Sequence, residues 1–236
     1  MKLLKTSFLA LAMIAGSCVA FAQTAEEIVK KHIEAIGGAD NWRKVKGFKM
    51  VGNVTGNGTE FPVSYVIADK KAMRMEFDLM GMKNYMIVTP TEGWVFFPIQ
   101  GQTQPEALTA DQIKEMQDQL DLQGELVDYQ QKGSKIELLG KDEMEGTETY
   151  KLKLIKKDGK EKTLFFDVAN YHLLREVQKI NADGKEVEAT NSFSNFKKLP
   201  EGITIPMTVE SDMGPVTLTE VEINPTIDES IFKPSN

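Results

Sequence analysis

The stretch Met73-Arg74-Met75-Glu76-Phe77-Asp78-Leu79 has an apolar residue at every second position and a charged residue between each pair. Because side chains alternate across a β-strand, this spacing predicts a strand with one apolar and one charged face. From residue 45 to residue 98, similar short runs alternate with turn signals. Short connections of this kind join antiparallel strands, so we expect an antiparallel sheet in this part of the chain.

Turn signals and strand-like runs continue to the end of the chain, giving about twelve predicted strands. The predicted turns are Asn57-Gly58, Asp69-Lys70-Lys71, Thr91-Glu92-Gly93, Asp158-Gly159 and Asp183-Gly184, and the last three strands are predicted at 187–196, 203–209 and 216–223. In the last strand the apolar alternation changes phase after Leu218 and resumes at Val221. This change predicts a β-bulge near Thr219 or Glu220.

Two helices interrupt the strands. The first is introduced by the capping box Thr24-Ala25-Glu26-Glu27 and ended by Gly37-Gly38, and it carries one apolar stripe. The second is predicted at 109–122, after the capping box Thr109-Ala110-Asp111-Gln112. Its apolar side consists of Ile113, Met116 and Leu120.

Strands that follow one another through tight turns exclude a parallel α/β sheet. The fold class is therefore mainly β with helices (α+β). So many strands in one meander would curl or close. We expect a curved, incompletely closed antiparallel β-barrel with the helices covering its concave face, formed as one domain by residues 23–236.

Residues 1–22 have the pattern of a signal peptide. Lys2 and Lys5 precede an apolar run that is too short to span a bilayer, and Ala20-Phe21-Ala22 forms an A-x-A cleavage site. The pattern predicts export to the periplasm and a mature chain that begins at Gln23. Lipid attachment at Cys18 is the less favoured alternative, because Ala15-Gly16-Ser17 lacks the large aliphatic residue of a lipidation signal.

The mature chain is predicted to be acidic. Removal of two lysines changes the formal charge from 28 − 35 = −7 to 26 − 35 = −9. This charge disfavours nucleic-acid partners and docking on anionic membrane surfaces. Cys18 is the single cysteine and lies in the predicted signal peptide, so the mature fold is expected to have neither a disulfide nor a thiolate metal site.

The sequence offers no recognisable catalytic motif. His32 and His172 stand outside any metal-ligand spacing, and Ser192 and Ser194 have no G-x-S-x-G context. Apart from Gly37-Gly38 the glycines occur singly, and they do not form a phosphate-binding loop. We therefore predict that the protein is not an enzyme and has neither a metal nor a cofactor.

Methionines and aromatic residues are concentrated between residues 73 and 97. Methionine is flexible and polarisable, and a cluster of it suits a surface that receives apolar ligands of variable shape. The alternative is an ordinary methionine-rich core. The residues assigned to a ligand cavity are Met73, Met75, Phe77, Met82, Tyr85, Trp94, Phe96, Ile113, Met116 and Leu120.

Several segments together resemble the LolA-like outer-membrane lipoprotein-sorting proteins. They are the signal peptide, the helix 26–36, the strand-turn-strand stretch 72–98, and the ending Val221-Glu222-Ile223-Asn224-Pro225 through Asp228-Glu229-Ser230-Ile231-Phe232. An arginine-bearing apolar strand, then a turn with Gly and an aromatic strand that closes on Pro, recurs in that family. The matching residues here are Arg74, Gly93, Trp94 and Pro98.

The resemblance implies a periplasmic carrier or chaperone. Such a protein binds lipoprotein acyl chains or related lipids in its cavity and moves them, as a monomer, toward the outer membrane between inner- and outer-membrane receptors. An arginine in these carriers holds the helical lid against the barrel, and Arg74 is the nearest match. Strand parity turns Arg74 away from the methionine face, where a surface ion pair with Glu76 is the alternative role. The alternative function is a non-enzymatic interaction module that binds a protein partner, such as an exported peptidase, on the concave face.

Overall fold

The computed structural model describes residues 23–56, 58–182, 185–211 and 214–235. The predicted signal peptide, Asn57 and the turn residues Asp183-Gly184 lie outside the described residues. The described α-helices are α1 (Ala25–Ala35), α2 (Ala39–Arg43) and α3 (Ala110–Met116). The described strands are β1 (Gly47–Gly56), β2 (Thr59–Ala68), β3 (Ala72–Leu79), β4 (Met82–Val88), β5 (Gly93–Phe96), β6 (Glu106–Ala107), β7 (Lys135–Met144), β8 (Thr147–Ile155), β9 (Glu161–Asp167), β10 (Leu173–Ala182), β11 (Lys185–Lys198), β12 (Thr204–Ser211) and β13 (Gly214–Ile223).

All thirteen described strands belong to one antiparallel sheet. Their order is β6-β5-β4-β3-β2-β1-β13-β12-β11-β10-β9-β8-β7, so β6 and β7 are the two edges and the sheet does not close on itself. Except for β1 and β13, neighbours in the sheet are consecutive in the chain, as tight turns require. The mainly β, antiparallel and incompletely closed fold class is confirmed.

Three contacts between turns of the sheet and the segment 115–120 show that the sheet is strongly curved. The backbone N–H of Lys70, in the β2–β3 turn, donates to the carbonyl of Leu120 at 2.7 Å, and Lys156, at the β8–β9 turn, pairs with Asp118. Lys160 at the same turn pairs with Glu115. In the sheet order β2 and β9 are six places apart, which would separate them by roughly 29 Å in a flat sheet. Only a curved sheet brings both turns to the same short segment.

The bulge predicted in the last strand is confirmed. Val51 pairs with Glu220 and Gly52 pairs with Leu218, so Thr219 is the extra residue. Its hydroxyl donates to the carbonyl of Val51 at 3.2 Å. Gly52 meets the partner strand so closely that an added Cβ would lie 2.3 Å from the Thr217 carbonyl oxygen.

Both predicted capping boxes are present, at Thr24 and at Thr109. The second helix, however, is shorter than the predicted 109–122. Regular α-helix ends at Met116, and a 3₁₀ turn, Gln117–Leu120, follows. The bond from Lys70 to the Leu120 carbonyl, and another from the Leu122 N–H to the Asp69 carboxylate, replace the helical pattern there. Tertiary contacts therefore decide where this helix ends.

The helices pack on one face of the sheet, which we call the helix-bearing face. Phe48, Ile67, Met73 and Val88 lie on it as cross-strand neighbours. They form the central core with residues of α2 and of the segment after α3: Trp42, Leu120, Leu122 and Val127. A second core joins α1 to β8 and β9 through Ile28, Val29, Leu152, Leu154, Leu164 and Phe166.

The C-terminal segment covers part of the opposite face. Phe232, in the 3₁₀ turn Glu229–Phe232, is buried with Tyr85 and Ile87. The Tyr85 hydroxyl donates to the carbonyl of Ser235 at 2.6 Å and accepts from its N–H at 2.9 Å. This segment is therefore held on β4 by apolar packing at Phe232 and by hydrogen bonds at Ser235.

Arg74 holds the same segment. Its guanidinium donates to the carbonyl of Ile231 at 3.0 Å, pairs with Glu76 at 2.9 Å and lies over the Tyr85 ring at 4.2 Å from the centroid. The side chain is only 14 % exposed. Arg74 points away from the methionine face and pairs with Glu76, as predicted, but the pair lies under the C-terminal segment and not on the surface. Arg74 thus contacts the C-terminal segment where the resemblance implied a helical lid.

We expect Arg74→Ala to lower the free energy of unfolding by about 1–3 kcal/mol, because it leaves the half-buried Ile231 carbonyl and Glu76 without the Arg74 donor. Amide exchange at residues 229–235 should accelerate in the same variant. The matched control is Lys71→Ala, which removes an exposed ion pair to Glu229 of the same segment and should change little. Unchanged exchange at residues 229–235 in Arg74→Ala would show that Arg74 does not hold this segment.

Candidate functional site

A cavity of about 390 Å³ lies between the helices and the sheet. We call it the helix pocket. Its walls come from α1, α2, the segment 118–127 and strands β9 to β12. Its apolar lining consists of Ile36, Trp42, Leu122, Leu126, Val127, Leu164, Leu173, Phe193, Phe196 and Pro206. A mostly apolar cavity of this size with a few polar groups is the usual form of a small-molecule site.

Charged side chains stand at one end of the helix pocket. Lys162 in β9 is 10 % exposed, and its ammonium lies 2.7 Å from Glu125 and 3.8 Å from Glu176 in β10. Glu176 also accepts a hydrogen bond of 3.0 Å from the Asn191 amide. Lys162 shares strand parity with the buried Leu164 and Phe166. A lysine at a core-facing strand position is the signal in the sequence from which this part of the pocket could have been found.

His32 forms part of the pocket wall as a neutral ring. It is buried in α1, its Nδ1 donates to the Tyr171 carbonyl at 2.9 Å, and its ring meets Phe166 edge-on. Burial lowers the pKa of His32 to about 4. Burial also lowers the pKa of His172, whose ring stacks on Phe196 at 4.1 Å. Both rings therefore contribute packing surface to this region at neutral pH.

A second cavity, the α3 groove, opens beside α3 with a volume of about 820 Å³. Its apolar lining consists of Met86, Val95, Phe97, Leu108 and Met116, and polar side chains of α3 form its outer rim. The central core separates it from the helix pocket. Met116 packs on that core and lines the groove, whereas Leu122 belongs to the core and lines the pocket. The segment 116–122 is thus the wall between the two cavities.

The structure brings most of the predicted cavity residues to the helix-bearing face. Met73 and Leu120 are fully packed in the central core, at 3 % exposure each, and Ile113 is buried as well. Met75, Phe77, Met82 and Met116 are half-buried. The Phe77 ring lies 5.7 Å from Phe61 and from Phe97, measured between centroids.

Three predicted cavity residues lie on the opposite face. Tyr85 pairs with Glu76 and Phe96, and Trp94 pairs with Ile87, so these side chains point away from Met73 and Met75. Tyr85, Trp94 and Phe96 pack instead around Phe232 and Ile231 of the C-terminal segment. The assignment of all ten residues to one cavity is therefore corrected. The chain is apolar on both faces of β4 and β5, so alternation alone could not assign the faces.

Within the described ranges, no cluster of three or more histidine, cysteine or acidic side chains could hold a metal ion. Among the same residues no helix has the length and apolarity needed to cross a membrane.

The fold is similar to those of three solved structures. A LolA superfamily protein from Nitrosomonas europaea is 14 % identical with a TM-score of 0.56, over 90 % of this chain and 98 % of that chain. An outer-membrane lipoprotein-sorting protein domain from Vibrio parahaemolyticus is 11 % identical with a TM-score of 0.53, over 87 % and 94 %. A DUF1329 family protein from Desulfovibrio piger is 12 % identical with a TM-score of 0.50, over 90 % and 98 %.

The resemblance to LolA-like proteins is thus confirmed at the level of the fold. At identities of 11–14 % this similarity is one of architecture. No protein-family model matches the sequence, and no curated protein matches it.

The buried His32 predicts a specific loss of stability in acid. Its pKa is about 4 in the folded protein and 6.5 when exposed, so the unfolded chain binds more protons between these values. The contribution of His32 to the free energy of unfolding should be constant above pH 6.5. It should fall by about 3 kcal/mol as the pH decreases from 6.5 to 4. Denaturant unfolding at a series of pH values between 4 and 7 measures this loss of free energy. His32→Asn, which keeps a donor for Tyr171, should flatten that part of the curve, and an unchanged curve would contradict this assignment.

Proposed function

We propose that this protein is a non-enzymatic periplasmic carrier or chaperone that binds an acyl chain of a lipoprotein or related lipid in the helix pocket. The observation that carries the proposal is the pocket itself, an apolar cavity between the helices and the curved sheet. In this proposal the helices cover the concave face. The shared architecture with a lipoprotein-sorting domain supports the ligand class.

Apolar burial supplies enough free energy for such binding without any catalytic group. Each methylene moved from water to an apolar site contributes about 0.8 kcal/mol. Ten methylenes would therefore contribute roughly 8 kcal/mol before the costs of immobilisation. The apolar lining of Trp42, Leu122 and Leu164 offers the surface that this burial needs.

The segment 116–122 is the element that we propose to move during loading. The helix pocket has the size of a single chain, whereas the α3 groove offers about 820 Å³ on the other side of this segment. Displacement of Leu120 and Leu122 would join the two cavities into one larger site. The half-buried Met75, Phe77 and Met86 would then extend the apolar surface, in agreement with the cavity that the sequence predicts.

The exported location and the direction of transport belong to the same proposal. They rest on the signal-peptide pattern and on the shared fold. A carrier only redistributes its cargo between partners of different affinity, so inner- and outer-membrane receptors would set the direction.

Filling the helix pocket should abolish lipid binding. Leu173 is half-buried on the pocket wall, and Leu173→Trp should occupy the space of the chain. We expect the wild-type protein to enhance the fluorescence of the uncharged dye N-phenyl-1-naphthylamine, and monolaurin or laurate to displace the dye. The variant should lose at least tenfold in dye affinity.

Two further variants make the result specific. Leu138→Trp adds the same ring at an exposed position of the edge strand β7 and should bind like the wild type. Val95→Trp fills the α3 groove. Loss of binding in Val95→Trp alone would show that the ligand binds in the α3 groove and not in the helix pocket. Failure of both lipids to displace the dye from the wild type would contradict the carrier and favour a protein-binding module.

Hydrogen exchange should identify residues 109–122 as the movable element. The sheet holds them through a few apolar side chains, Ile113, Met116, Leu120 and Leu122, through hydrogen bonds to the β2–β3 turn, and through ion pairs to Lys156 and Lys160. We expect faster amide exchange there than in β8 and β9, and slower exchange after monolaurin is added. Equal protection in both regions, unchanged by lipid, would indicate a static packed segment.

A further inference from the structure

We infer that the charged end of the helix pocket selects an acyl lipid with an uncharged head group that donates hydrogen bonds, such as an acylglycerol or an acyl amide. This inference rests on the proposed function, because it takes the apolar part of the pocket as the site of the chain. It adds the chemistry of the head group and its position beside Glu125, Lys162 and Glu176.

The charged groups at this end are built into the fold. Lys162 comes from β9, Glu176 from β10, Asn191 from β11 and Glu125 from the segment after α3. Their side chains are 10 % exposed for Lys162, 16 % for Glu176 and 21 % for Glu125. Lys162 lies between the two carboxylates, and Asn191 orients one of them. Such burial and cross-linking fix the positions of the charges before any ligand enters.

One carboxylate oxygen at this end has a free hydrogen-bonding position. Glu176 Oε1 accepts from the Asn191 amide, but Glu176 Oε2 lies 3.8 Å from the Lys162 ammonium, at ion-pair distance and beyond a hydrogen bond. Glu176 lines the helix pocket. A buried acceptor is stabilised when it gains a donor. A ligand hydroxyl or amide N–H in the pocket can supply that donor.

The balance of charge disfavours an ionised head group. Asp118, Glu125 and Glu176 line the pocket with three negative charges, whereas Lys162 is the lining cation. Lys156 adds a second positive charge from the outer side, where it pairs with Asp118 and Glu125. The sum is 2 − 3 = −1, so a carboxylate or phosphate is repelled at short range in a poorly solvated site. A cationic head group would be repelled by Lys162, which already lies between Glu125 and Glu176. An uncharged hydrogen-bond donor is therefore the best match.

The test compares two lipids with the same twelve-carbon acyl group, monolaurin and laurate, below their micelle concentrations at pH 7.5. Displacement of N-phenyl-1-naphthylamine from the wild-type protein gives both affinities. We expect monolaurin to bind at least tenfold more tightly than laurate. Equal affinity, or tighter binding of laurate, would overturn the head-group inference and leave the carrier in place. Failure of both lipids to bind would overturn the proposed function itself.

A variant connects the preference to Glu125. Glu125→Gln removes one negative charge and releases Lys162, so laurate should gain affinity and the ratio between the two lipids should fall to threefold or less. Glu137→Gln is the matched control, since Glu137 pairs with Lys153 on the edge strand β7 and lines neither cavity, and it should keep the wild-type ratio. An unchanged ratio in a folded Glu125→Gln protein would contradict the assignment. Glu176→Gln provides the same comparison if Glu125→Gln fails to fold.

Discussion

The structure depends on the short segment 116–122 being held from both halves of one curved sheet. Leu120 bonds to the β2–β3 turn through its carbonyl and packs in the central core, while Asp118 pairs with Lys156 at the β8–β9 turn. An open sheet of thirteen strands has no closing hydrogen bonds between its edges. Contacts through this segment therefore replace them. The same residues form the wall between the two cavities of the helix-bearing face.

The two sides of this attachment differ in their physics. Toward β2 and β3, the contacts are backbone hydrogen bonds and buried leucines, which form a specific and apolar connection. Toward β8 and β9, partly exposed lysines meet the carboxylates of Glu115 and Asp118. The Lys160–Glu115 pair is exposed, and exposed ion pairs contribute little stability and weaken in salt. The segment is therefore more easily released from the β8–β9 side, which is the side that borders the helix pocket.

Local patterns in the sequence predicted local structure correctly. The bulge at Thr219 follows from a change in alternation within one strand, and the two capping boxes follow from four-residue motifs. The end of α3 could not be predicted in this way, because Lys70 and Asp69 act on it from fifty residues away. The face of Tyr85 was also hidden, because both faces of β4 are apolar and the covering Phe232 comes from the far end of the chain.

The helix pocket illustrates the same limit for the candidate site. Lys162, Glu176 and Glu125 come from separate elements, and the fold alone places them at one end of an apolar cavity. A charged residue at a core-facing strand position was the one local signal. The methionine-rich stretch, by contrast, was visible in the sequence but divides between a packed core at Met73 and half-buried surface at Met75.

Lipid binding in the helix pocket is tested most directly by a crystal structure with a monoacylglycerol that carries bromine at the end of its acyl chain. Anomalous scattering locates the bromine without any assumption about the rest of the ligand. We expect one bromine peak among Trp42, Leu122 and Leu164, with the glycerol head beside Glu125. A peak on the opposite face, or none at a ligand concentration that saturates binding in solution, would contradict this expectation.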